Sequence, residues 1–267
     1  MARQVGLVKY SGTMGGVRHF KIKGLDADFA GLAGGPTKEQ VRNDEAFVRT
    51  RENMNEFGGC AKAAKSLRVA LSQIIKQYSD PRLTGRLTAI MKEINLKDVV
   101  NPRGERSILI SSEGQILEGL DYNKNITFSG VFHAPYTITS TPARDSSTFS
   151  IPPFNPANLI SAPAGATHFR LVNAIAVLSD WAYNVSNGEY EPTDQSLSGL
   201  SDIQFSGYLD LNTPTAITDI TATLPGSPLM TATVKVANNI GIEFYQQVGG
   251  NYYLFASGNA LKLETGF

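Results

Sequence analysis

The sequence predicts an α+β protein in which an N-terminal β-hairpin arm and a helical segment are followed by an antiparallel β-sandwich. Three observations predict it. Two stretches between residues 67 and 94 repeat apolar side chains at helical spacing. Beyond Asn101-Pro102-Arg103-Gly104, short runs rich in Thr, Ile, Val, Phe and Tyr take over, broken by Pro, Gly, Asn and Asp. No helical pattern intervenes between those runs, so successive strands are expected as antiparallel neighbours rather than through βαβ crossovers. The expected divisions are residues 1–36 as arm and flexible connection, 37–104 as a helical domain and 105–267 as the sandwich.

In chain order, Leu7-Val8-Lys9-Tyr10 and Val17-Arg18-His19-Phe20-Lys21-Ile22-Lys23 flank the glycine-rich Ser11–Gly16 and read as a hairpin. Val17, His19 and Lys21 alternate with Arg18, Phe20 and Ile22, giving one strongly basic face. A face of that charge is not expected to be buried unless a partner supplies acids, so the hairpin reads as an exposed arm. Gly31-Leu32-Ala33-Gly34-Gly35-Pro36 reads as a flexible connection. Thr37-Lys38-Glu39-Gln40 has the form of a capping box and opens a helix. Asp44 is placed to cap another, with Phe47, Met54 and Phe57 on one stripe, until Gly58-Gly59 weakens or bends it.

Leu67, Leu71, Ile74, Ile75 and Tyr78 fall on one helical stripe, and Leu83, Leu87, Ile90, Met91 and Ile94 repeat the same spacing. Asp80 suits the N-cap and Pro81 the first helical position, which predicts an antiparallel helix pair packed face to face. Strands are expected over 115–122, 126–133, 136–141, 148–151, 168–178, 203–211, 217–224, 230–236, 240–248 and 252–255. Gly249-Gly250-Asn251 turns the last hairpin, and Ile151-Pro152-Pro153-Phe154-Asn155-Pro156 is too rich in proline for a central strand.

Composition narrows the function. Hydrophobic residues make up 42% and charged residues 18%, which is ordinary for a folded globular chain. The net charge of zero conceals an asymmetry: residues 1–110 carry 19 Lys/Arg against 11 Asp/Glu, and residues 111–267 carry 5 against 13. Such a dipolar chain favours either an anionic partner for its basic half or a contact between opposite halves of two copies. A single cysteine, Cys60, excludes an internal disulfide and a cysteine zinc cluster. Met1–Leu7 lacks the apolar core of a signal peptide, and no apolar run reaches the roughly 18 residues of a membrane span. A cytoplasmic protein without membrane partners is expected.

The signatures of catalysis are missing. His19, His133 and His168 are far apart in sequence and form no His-Glu-x-x-His pair. No Gly-x-Ser-x-Gly elbow occurs, and Gly31–Lys38 has the composition of a phosphate loop without its spacing. The pairs Asp26/Asp28 and Glu189/Glu191 read as solvated loop charge. The expectation is a non-enzymatic chain with no catalytic, metal-binding or cofactor-binding residues and no cofactor. Two binding readings stay open. Lys62, Lys65 and Arg68, supported by Arg42, Arg49, Arg51, Lys76, Arg82 and Arg86, would neutralise nucleic-acid phosphates. Tyr183, Tyr190, Tyr245, Tyr252 and Tyr253 would serve a carbohydrate- or ligand-binding β-domain, although aromatic packing is the better expectation for them.

The segment Asn43–Asn53 through Glu56-Phe57-Gly58, together with Ala162–Phe169 and Gly241–Gln246, resembles a signature of uncharacterised proteins from the Bacteroidota, over most of the chain. The chain also resembles cytoplasmic fibril and rhapidosome-type tube proteins of that group. This resemblance implies repeated self-association and transfers no catalytic residues. It accords with the charge asymmetry, since a head-to-tail contact between unlike surfaces closes into a ring or propagates as a filament. The expected partner is therefore the chain itself, in a homopolymer to which the N-terminal arm could lend a strand by exchange.

Overall fold

Two long strands that are buried over most of their length organise the larger part of the molecule. In the computed structural model, β8 (His168–Ser179) and β14 (Val234–Val248) pair antiparallel from Val234↔Ser179 to Tyr245↔His168. Near-continuous apolar strands are what burial on both faces demands. The structure describes residues 1–22, 25–32 and 34–267, in two compact units, Met1–Arg51 and Glu52–Phe267.

Within the 52–267 unit, β5 (Leu120–Asp121), β11 (Ser201–Phe205) and β16 (Ala260–Gly266) complete a central sheet of order β11-β8-β14-β16-β5. Two short strands extend it, β12 (Leu209–Asp210) on β8 and β15 (Asn251–Leu254) on β14. A second antiparallel sheet comprises β6 (Thr137–Ser140), β7 (Ser146–Ile151) and β13 (Thr218–Thr223), in the order β13-β7-β6. The α+β class and the sandwich are both present. One face of the central sheet meets the small sheet through Phe169, Leu171, Ile240, Ile242 and Phe244 against Phe149, Ile151 and Ile220. Its other face, bearing Val172, Ala174, Ala176, Leu178, Ala237, Leu261 and Leu263, is covered by helices.

Those helices are α2 (Val48–Ala70), α3 (Ile75–Tyr78) and α4 (Leu83–Asn95). Leu67, Leu71, Ile74, Tyr78, Leu83, Leu87, Met91 and Ile94 are buried as the spacing predicts, in one core with the sheet. The expected boundary between a helical domain (37–104) and the sandwich (105–267) therefore gives way to units 1–51 and 52–267. The helical stripes bury on the central sheet as well as on each other, so no core closes at residue 104.

Several local expectations are corrected. Phe47, Met54 and Phe57 are not a core stripe, since Met54 and Phe57 are each 57% exposed. The buried stripe of α2 is instead Gly59, Cys60, Ala63, Ala64, Leu67 and Ala70, small side chains that let the helix approach the sheet closely. Gly58-Gly59 does not interrupt α2. Gly59 is the seat of the Tyr190 ring, into which a Cβ would project to 2.4 Å. Tyr190 lies on β10 (Glu189–Pro192), which pairs with β9 (Trp181–Asn184); neither strand is among those the sequence predicts, nor is β16. The 126–133 stretch is a turn of helix, Phe128–Val131, capped by the Thr127 hydroxyl, and 114–117 is a 3-10 turn. Asp80 accepts from the Arg82 amide at 2.7 Å, and the regular helix starts two residues later than expected. The Gly249-Gly250 turn is as expected, with φ of 57° and 84°, the left-handed pair that a two-residue hairpin requires.

The two adjacent glycines of α2 separate helix propensity from packing. Gly58→Ala, where a Cβ meets nothing, should stabilise the chain by about 0.5–1 kcal/mol. Gly59→Ala should destabilise it by about 1–3 kcal/mol as the Tyr190 ring is displaced. Urea denaturation of the two variants checks both signs.

Candidate functional site

The N-terminal unit holds a sheet with no buried apolar side chain among its described residues. That sheet is built from β1 (Ala2–Arg3), β2 (Gly12–Met14), β3 (Val17–Lys21) and β4 (Asp28–Leu32), in the order β1-β4-β3-β2. The expected hairpin is thus displaced: the strand preceding Val17 is Gly12–Met14 and not Leu7–Tyr10. Gly15 and Gly16, with φ of 55° and 77°, make a tight turn that pairs Met14 with Val17. Gly31 and Leu32, expected in a flexible connection, lie in β4, whereas Lys23 and Ala33 fall outside the described residues. The capping box is present, with reciprocal bonds of 2.7 and 3.2 Å between Thr37 and Gln40 at the start of α1 (Lys38–Asn43).

Among the described residues of 1–51, only Asp28 is buried. Val5 is 88% exposed, Leu32 87%, Val8 69% and Met14 58%, all within the first 32 residues. Nor is there a single basic face. Lys9 and Lys21 reach Asp28 at 3.1 and 3.7 Å, and the hydrogen bond from Lys9, helped by Lys21, holds the Asp28 carboxyl below its ordinary range. Arg18 lies on the opposite face, its guanidinium 5.5 Å from the Phe20 ring.

Several buried polar groups of the 52–267 unit are tied into local networks. Glu56 of α2, 2% exposed, accepts from the Lys92 ammonium and from the Gly104 amide at 2.7 Å. Lys92 also donates to Asn95 at 2.8 Å, Asn95 donates to the Arg106 carbonyl at 2.6 Å, and the Tyr190 hydroxyl donates to that carbonyl at 2.9 Å. This network fastens the 102–107 loop to both helices and to β10. Burial alone would raise the Glu56 pKa, but the bonds from Lys92 and Gly104 outweigh it and hold the carboxyl below 4.5.

At the far end of the central strands, Glu243, 1% exposed, accepts from Arg170 Nε at 3.2 Å and Nη2 at 2.8 Å and from the Tyr245 hydroxyl at 2.6 Å. The Arg170 guanidinium also lies 3.7 Å from the centroid of Phe205, and Tyr208 stacks on Tyr252 with an interplanar angle of 4°. Burial works against the Arg170 charge, yet the bond to Glu243 raises its pKa. With three donors converging on its Oε2, the carboxylate acts as a clamp on the sheet end.

The remaining candidates from sequence are dispersed. His133 touches the Ser161 hydroxyl at 3.2 Å in the open, His168 touches that of Thr167 at 2.9 Å, and His19 packs by Tyr10. Among the described residues, no three His, Cys, Asp or Glu side chains gather to hold a metal ion. Cys60 is fully buried, and burial pushes its thiol up to about 12. Lys62, Lys65 and Arg68 share α2 but not a role. Lys62 is paired with Glu189 at 2.7 Å, whereas Lys65 and Arg68 line an open groove of about 360 Å³ with Lys76, Val69 and Ser72. The five tyrosines separate into a Tyr183/Tyr190 pair, Tyr245 and Tyr252 on either side of a sixth, Tyr208, which meets the first edge-on and stacks on the second, and an exposed Tyr253. Among the described residues, no helix is long and apolar enough to cross a membrane.

Comparison with protein-family models, with curated proteins and with solved structures finds no match.

The Glu56 clamp makes stability depend on pH. A carboxyl whose folded pKa is depressed stabilises fully above its unfolded value and loses that contribution as pH falls through the folded value. Stability should therefore decline below about pH 4.5, and Glu56→Gln should flatten this decline. Lys92→Met, which strands the buried carboxylate, should destabilise the chain by about 3 kcal/mol at neutral pH, the low end for a broken buried pair because Lys92 is 23% exposed. Urea titrations at a series of pH values measure both.

Proposed function

We propose that the chain is a non-enzymatic structural subunit that associates with itself, head to tail, into a fibril or tubular polymer. The observation that carries this reading is the N-terminal segment that forms this sheet and its connections, in which eight large apolar side chains between Met1 and Leu32, six of them outside the strands, are exposed and none is buried among the described residues. Ordering a backbone costs about 1–2 kcal/mol per residue, and a sheet without a covered apolar face has too little burial to offset it. Such a sheet is stabilised by a surface outside itself.

Charge selects the kind of surface. Residues 1–51 carry nine Lys/Arg against five Asp/Glu, and residues 52–267 carry fifteen against nineteen. The complement of the N-terminal unit is thus present in every other copy at equal stoichiometry. A contact between two unlike surfaces of identical chains is heterologous, and heterologous contacts that do not close propagate. Purified full-length chain, concentrated at low salt, should form rings, fibrils or tubes in negative-stain micrographs. Sedimentation velocity should show them dissociating as salt screens the contact. A chain that stays monomeric at every concentration and salt tested refutes the proposal.

A second reading is nucleic-acid binding by the basic groove of α2. What favours it is that Lys65, Arg68 and Lys76 line one groove in which Asp80 is the one acidic residue, and that the buried Arg68 Nε has no partner among the described residues. On this reading, Lys65→Glu with Arg68→Glu abolishes binding to duplex DNA, and truncating either side chain lowers the salt slope by about 0.9 for each phosphate no longer neutralised. Absence of salt-sensitive binding by the unmodified chain in fluorescence anisotropy rejects it.

A further inference from the structure

Directly paired residues of neighbouring strands share a sheet face, which sorts the side chains of the N-terminal sheet into two sets. One face carries Met14, Val17 and Leu32, and its lysines Lys9 and Lys21 share Asp28 as an ion-pair partner. The other is different. Phe20 on β3 lies opposite Phe29 on β4, their rings stacked at 6.2 Å, and Arg3 on β1 lies opposite Phe29 in turn. Arg18, two residues before Phe20, is opposite Gly31, where the absence of a side chain leaves the Phe20 ring edge open; a Cβ there would stand 3.9 Å from it. Neither Arg3 nor Arg18 has an ion pair with a described residue. Both phenylalanines are half-buried, stacked on each other with Arg18 beside the Phe20 ring.

We infer that this aromatic face, Phe20 and Phe29 rimmed by Arg3 and Arg18, is the plug of the assembly and seats on the 52–267 unit of a second copy. An aromatic centre with arginines at its margin has the composition of an energetically dominant interface patch. Its two uncompensated cations require an acidic counter-surface, and the acidic excess of this chain lies in residues 52–267. The inference rests on the self-association reading above and adds to it which face docks and on what.

The test uses the full-length chain with a photo-reactive phenylalanine analogue at position 20, mixed in equal amounts with heavy-isotope-labelled chain and irradiated under assembly conditions. The expected cross-links join position 20 of one isotope to peptides from residues 52–267 of the other. Cross-links confined to one isotope place the face on its own chain, and mixed-isotope links landing within residues 1–51 place it on another N-terminal sheet; either result overturns the inference. In parallel, Arg3→Glu with Arg18→Glu, which keeps both aromatic rings, should raise the concentration needed for assembly roughly tenfold or more. Lys97→Glu, a reversal at an exposed lysine of the larger unit, should leave it nearly unchanged. If the unmodified chain assembles and the double reversal assembles equally well, this inference falls while the self-association reading stands. If the unmodified chain never assembles, both fall.

Discussion

The ladder between β8 and β14 is the constraint on which the 52–267 unit depends. Every other layer uses it as a platform: α2, α3 and α4 cover one face, the three-stranded sheet covers the other, and β11, β12, β15 and β16 extend its edges. A strand pair buried on both faces has no solvent side to tolerate error, and a slip of one residue would exchange the two apolar sets. Asn173 and Asn238 guard against that slip. They lie side by side between the two sheets, where Asn238 donates to Asn173 at 2.7 Å and to the Ser147 hydroxyl at 3.0 Å. Asn173 in turn donates to the carbonyls of Ser147 and Ile220. These amides divide the inter-sheet core into two apolar clusters, and any other register would bury them without partners, at a cost of about 1–3 kcal/mol each.

The same device recurs on the helix side of the sheet. Asn239 accepts from the buried Tyr122 hydroxyl at 2.8 Å, next to an irregularity in the β14–β16 pairing. Glu56 with Lys92 fixes the helices to their loop, and Glu243 with Arg170 fixes the opposite end of the ladder. Apolar burial drives the layers together in a non-directional way. The buried hydrogen bonds decide where each layer stops.

Much of this architecture is legible in the sequence because its physics is periodic. The stripe ending at Ile94, the mostly apolar run of β8 and the glycine pair after Val248 each report a local rule, and each appears where the rule places it; the stripe ending at Tyr78 is buried as expected but is carried by two helices with a turn over 71–74 between them. What the sequence hides is set by tertiary partners. Gly59 reads as a helix breaker until Tyr190 is known to lie on it, and Phe57 reads as core although the small side chains facing the sheet are the ones buried. Glu56, Asn173 and Glu243 are ordinary polar residues in sequence, and only long-range pairing makes them clamps. The aromatic face of the N-terminal sheet is half visible in the alternation of Arg18 and Phe20. Its completion by Arg3 and Phe29 depends on strand order, which no local pattern encodes.

The N-terminal sheet, with no buried apolar side chain among its described residues, also bears on how the chain is made. Residues 1–51 leave the ribosome before residues 52–267, and domains generally fold as they emerge. A segment whose apolar side chains find no burial within itself gains little by ordering at that stage, so the larger unit is completed first. On the self-association proposed above, order in the early segment would track the abundance of finished surfaces around it. Under the proposed self-association, synthesis and assembly would thereby be kept apart in time, since a single nascent chain offers no finished surface to dock on.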